Sequence, residues 1–100
     1  MVNVGKVYVI RNGGSPKERA RKLVEEAAEA FSAWERYDRV YLMGDFGKNV
    51  MAEQEIVNEC ADVITAACGL MWEIFGGEVS LERALDECKR RNEERGRVMV

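Results

Sequence analysis

The 100-residue chain contains no histidine. That absence removes the Ser-His and Cys-His nucleophile pairs and the usual imidazole metal ligands, so any catalysis must rest on carboxylates, amines, amides or a metal. Cysteine is scarce as well. Cys60, Cys68 and Cys88 cannot close a disulfide framework and lack the close pairing of a zinc site, and they read as reduced, small core residues. A single proline, with 47% apolar and 33% charged residues, excludes a collagen-like or disordered chain. Charge of one sign is missing too: fifteen Lys+Arg against eighteen Asp+Glu leave a net charge of −3, which offers no general attraction to nucleic acid or anionic lipid. Apolar runs such as Val63–Met71 fall far short of the roughly 20 residues that span a bilayer, and the N-terminus lacks a charged-then-apolar signal pattern. The expectation is a single cytoplasmic domain over residues 1–100, with no nucleic-acid partner and no membrane.

What is present is mostly helix. Val2 to Arg11 is the exception, because its valines with Tyr8 and Ile10 favour a strand, which Asn12-Gly13-Gly14 then ends. Ser15 suits an N-cap, Pro16 the first helical position and Glu18 the acid of a capping box, so a helix is predicted from Pro16 to about Arg36. Asp38–Asn49 reads as a connector, with the β-prone Val40–Met43 followed by Gly44 and Gly47. A second helix is predicted over about 50–75, stopped by Gly76-Gly77, and a third over about 80–95, capped by Ser80 with Arg83 in place of the usual acid. The fold class is therefore all-α in the main, a helical bundle with room for short N-terminal strands.

Helical wheels add a duplication. Ala20, Leu23, Val24, Ala27, Ala30, Phe31 and Trp34 form one apolar stripe; Ile56, Val57, Cys60, Val63, Ile64, Ala67, Leu70, Met71 and Ile74 form another. Leu23–Phe31 matches Ile56–Ile64 position for position, which pairs Glu26 and Glu29 with Glu59 and Asp62, each pair on the same flank of its stripe. If the stripes pack together, four carboxylates converge. Two carboxylates about 4 Å apart repel by roughly 4 kcal/mol at an effective dielectric near 20, and a hard divalent cation removes that cost. An all-oxygen donor set suits Mg²⁺, with Mn²⁺ an alternative, and Mg²⁺ commonly bridges to substrate phosphates. The competing view is that these acids only solvate the outer faces of the helices.

The third helix carries Leu81, Ala84, Leu85 and Cys88 on one stripe, which continues through Asn92 and Arg95 with Lys89 beside it. These donors suit phosphate oxygens; equally, the helix end can simply run into solvent. The broad stripes of the first two helices are incompletely covered within one chain, so self-association as a homodimer is expected.

Three segments carry a family resemblance: Lys22-Leu23-Val24-Glu25-Glu26-Ala27-Ala28-Glu29, Glu59-Cys60-Ala61-Asp62-Val63, and Arg91-Asn92-Glu93-Glu94-Arg95-Gly96-Arg97. Over about Pro16 to Arg97 the chain resembles the MazG-like, all-α nucleotide pyrophosphohydrolases, especially the short phage-type members. The resemblance implies Mg²⁺-dependent cleavage of a (deoxy)nucleoside triphosphate to monophosphate and pyrophosphate. It implies Glu26, Glu29, Glu59 and Asp62 as catalytic metal ligands, Lys89, Asn92 and Arg95 as phosphate contacts, and a homodimer or homotetramer as the assembly. One ligand-side carboxylate, or Glu25, would orient the water. From other classes, the alternatives are a small α/β domain with an anion site at the Asn12–Ser15 turn and a non-catalytic helical interaction module.

Overall fold

A computed structural model describes residues 6–10, 14–44, 46–78 and 80–97. Three helices follow in order, α1 (Pro16–Met43), α2 (Phe46–Phe75) and α3 (Leu81–Glu94), and no strand occurs among the described residues. The predicted caps form. Ser15 Oγ accepts the Glu18 N–H at 3.2 Å and donates to the Glu18 carboxylate, while Ser80 Oγ accepts the Arg83 N–H at 3.3 Å. Each such cap is worth about 1 kcal/mol to its helix.

Three expectations are corrected. The connector over 38–49 is absent, because α1 runs on to Met43 and α2 begins at Phe46. Gly44 takes a left-handed φ of 71° and donates to the Tyr41 carbonyl at 3.1 Å, so the stop lies one helical turn or more beyond Arg36. The β propensity of Val40-Tyr41-Leu42 is a weak prior that helical context on both sides overrides, and Gly47 is tolerated in the first turn of α2. Without a strand at Val40–Met43, Lys6–Ile10 has no edge to pair with and stays irregular; the rest of the predicted Val2–Arg11 strand lies outside the described residues. The α/β alternative falls with it. Finally, Cys60 and Cys88 are exposed and only Cys68 is half-buried, its thiol pKa pushed up by burial.

The two long helices form an antiparallel hairpin. At one end Arg19 of α1 meets Gly69 and Glu73 of α2, and at the other the Arg36 guanidinium pairs with the Glu55 carboxylate. The buried line of α1 is Arg19, Glu26 and Ala33, spaced by sevens, with Leu23 and Ala30 half-buried between. Val24, Phe31 and Trp34 of the predicted stripe are exposed. The stripe is wide enough for two partners, and a single chain supplies one. Ala33 and Ala52 are the buried apolar residues among those described.

Arg19 is 8% exposed. Its Nη1 donates to the Gly69 carbonyl at 3.3 Å, its Nη2 to the Ile10 carbonyl at 3.0 Å, and its Nε lies 3.6 Å from Glu73 Oε2. One side chain thus ties the N-terminal segment and both helices. A Cβ at position 69 would sit 2.8 Å from Nη1, so glycine there is set by the close approach of the guanidinium. Helix α3 buries none of its residues and lies beside the hairpin through Leu81 and Glu82, which border a cavity of about 500 Å³ with Val7, Val9, Met71 and Trp72. Among the described residues, no helix is long and apolar enough to cross a membrane.

Candidate metal centre

Glu26 and Glu29, three residues apart on α1, lie on one face of that helix, and the antiparallel register brings Glu59 of α2 across from them. Carboxylate oxygens of all three lie within 4.8 Å of one another. Glu26 is only 7% exposed, Glu59 is half-buried and Glu29 is exposed, so the group opens to solvent on one side. Glu26 Oε1 receives the Lys22 ammonium at 2.9 Å. Glu26 Oε2 and Glu59 Oε2 are buried without a hydrogen-bond partner.

The electrostatics follow from this arrangement. The hydrogen bond from Lys22 holds the Glu26 carboxyl below its ordinary pKa, against the opposing effect of burial, and the same bond raises Lys22. Glu29 is pushed up, first by the charge of Glu26 and then by desolvation, with Glu59 adding to it. Leaving a buried polar atom unpaired costs about 1 to 3 kcal/mol, more for a charged group. Two such oxygens facing a third carboxylate form a set that a hard, oxygen-seeking divalent cation fits. On that test the residues suit Mg²⁺ or Mn²⁺.

The remaining predicted site residues lie apart. Asp62 is exposed and is not among the three acids grouped within 4.8 Å. Lys89 Nζ lies 3.8 Å from Glu93 Oε1, Asn92 Nδ2 donates to the Cys88 carbonyl at 2.9 Å, and Arg95 caps α3 through its backbone N–H. Lys89 and Asn92 lie on α3 and Arg95 caps it, and the hairpin of the same chain does not bury that helix. Glu25 borders a second cavity, beside Lys22. Sequence reasoning missed Lys22 as the counter-ion of the acids, although its i,i+4 spacing to Glu26 was visible. It also missed Arg19 and the Arg36–Glu55 pair, whose partners only the hairpin register reveals. Arg36 is held above its ordinary pKa by that pair, with Glu59 contributing.

A helical hairpin that sets an E-x-x-E on one helix against an acid of the next has the frame of a MazG-like pyrophosphohydrolase. The chain belongs to the phosphoribosyl-ATP pyrophosphohydrolase family of that all-α superfamily, whose family model matches residues 6–92. That family consists of divalent-metal-dependent pyrophosphohydrolases acting on nucleotides. No curated protein and no solved structure matches the chain.

Proposed function

We propose that this protein hydrolyses a nucleoside triphosphate to the monophosphate and pyrophosphate, with Mg²⁺, or Mn²⁺ in its place, held by Glu26, Glu29 and Glu59. The observation that carries this reading is the pair of buried, unpartnered oxygens on Glu26 and Glu59 beside a third acid. Asp62, three residues beyond Glu59 on α2, would be the fourth acid of the set that holds the ion. A divalent ion there would neutralise phosphate charge and acidify a water molecule. Water attacks phosphorus, the bond between the α and β phosphoryl groups breaks, and pyrophosphate leaves with the bridging oxygen. A ligand-side carboxylate, or Glu25 next to Glu26 on α1, orients the water and accepts its proton. The substrate is a canonical (deoxy)nucleoside triphosphate or, following the description of the matched family, phosphoribosyl-ATP. Lys89, Asn92 and Arg95 serve phosphates at the site of a second copy.

Pyrophosphate release from a panel of both nucleotide types, in Mg²⁺, Mn²⁺ and EDTA, tests this function. Release in Mg²⁺ that EDTA abolishes is expected. No hydrolysis of any nucleotide would return the chain to a non-catalytic helical module. The pH dependence of metal binding adds a second test. A protonated Glu29 cannot ligate, and its pKa is raised, so Mn²⁺ affinity should climb as pH rises through and above the usual carboxylate range. An affinity independent of pH there would remove Glu29 from the ligand set.

A further inference from the structure

Two turns beyond Glu29 on the same face of α1, Arg36 reaches across the hairpin and pairs with the Glu55 carboxylate of α2. Glu55 in turn lies one turn before Glu59, at the i,i+4 spacing that puts two carboxylates side by side on a helix. The Arg36 pKa is held up first by its bond to Glu55, and Glu59 adds to the effect, so the guanidinium is within electrostatic reach of both acids. Glu55 thus continues the acidic seam of α2 toward the hairpin turn, yet it is not one of the three acids grouped within 4.8 Å. The two side chains of the pair are 43% and 40% exposed, and so wet an ion pair adds little to stability. Its place beside the acid cluster points to a role in the site.

We propose that Arg36 is a positioning residue of the metal centre, engaging Glu55 so that this carboxylate stays out of the ligand set of Glu26, Glu29 and Glu59. The inference rests on the divalent-cation reading of those three acids. The physical reason is the reach of a glutamate one turn from a ligand. A flexible, unpaired Glu55 can turn toward a cation held at Glu59, because the cation offsets the repulsion between the two carboxylates. The guanidinium is charged at any working pH, and it draws Glu55 across the hairpin instead. Positions on the cation are thereby left to water and substrate phosphates, which suits Mg²⁺ because it binds few carboxylates and keeps part of its hydration shell. The restraint is reciprocal. Glu55 also keeps the Arg36 charge off Glu59, where it would compete with the cation for the same carboxylate.

Mn²⁺ titration followed by electron paramagnetic resonance, on Arg36→Gln, Glu55→Gln and the double variant, tests this assignment as a cycle. Arg36→Gln should bind Mn²⁺ about two- to fivefold more tightly than wild type, because Glu55 is released to the cation. Glu55→Gln should bind it about two- to fivefold more weakly, because the freed Arg36 turns to Glu59. The double variant should return to wild-type affinity, since neither charge is left. A pair that only fastens the hairpin would weaken binding in all three variants. That result would overturn the assignment, as would unchanged affinity in both single variants while wild type still binds Mn²⁺. Should Arg36→Gln fail to fold, Glu55→Gln decides, and Mn²⁺ binding there as tight as in wild type or tighter would overturn the role of Arg36. A wild type that binds no Mn²⁺ would overturn the cluster reading and this role with it.

Discussion

Glu59→Gln should lower Mg²⁺-dependent pyrophosphate release by about 100-fold or more, the scale on which loss of one electrostatic stabiliser of a charged transition state is felt. The substitution keeps the size of the side chain and removes one charge from three acids within 4.8 Å. A cation there is then underbound, and the phosphates it would offset are left uncompensated. Stability should move the other way. Glu59 Oε2 is buried without a partner and its charge helps to raise Glu29, so neutralising it relieves repulsion in metal-free protein. The melting temperature in EDTA is therefore expected to hold or rise, while the increase on adding Mg²⁺ should shrink. Undiminished hydrolysis in Glu59→Gln would falsify the ligand assignment. Asp62→Ala is expected to lose activity as well, and wild-type turnover in that variant would reduce the ligand set to the three clustered acids.

Light scattering at micromolar concentration should give a mass about double the 11.3 kDa of one chain. The reason is the small amount of apolar surface that a single chain covers. Phe31 and Val57 are each 60% exposed, Trp34 stacks on Phe31 with ring centroids 5.9 Å apart, and Val24, Trp72 and Ile74 are exposed as well. Burying each such side chain contributes about 1.5 to 3 kcal/mol, and a standard interface covers about 800 Å² per partner. An isologous pairing of two hairpins would form a four-helix arrangement. Phe31→Glu should then dissociate the assembly and reduce helicity together, and the melting temperature of wild type should rise with concentration. Mixing also tests α3. If Lys89, Asn92 and Arg95 serve the acid cluster of the partner copy, mixed dimers of Glu59→Gln and Arg95→Ala hold one intact site each, and random exchange restores about a quarter of wild-type activity. A monodisperse, active monomer would mean that the N-terminal segment covers these faces.

Much of this protein is legible locally. Ser15, Pro16 and Ser80 start α1 and α3 through contacts within four residues, and Gly76 stops α2 through a left-handed φ of 70°. The pairing of Glu26 with Glu29 follows from helical pitch alone. Other features depend on which residues meet across space. Propensity placed the end of α1 too early because the turn at Gly44 outweighs the β preference of Val40–Leu42. Wheels located the apolar sectors of α1 and α2 without showing which edge faces the neighbouring helix. Only the antiparallel hairpin decided that Glu59 comes within reach of Glu26 and Glu29 while Asp62 stays exposed, and that Arg19 lies against Gly69. Caps, turns and helical spacing are determined by the sequence itself because their energies act over a few neighbouring residues. The site's composition and its counter-ion across the helices were settled by tertiary register, since a shift of one turn along α2 changes every partner without altering any local preference.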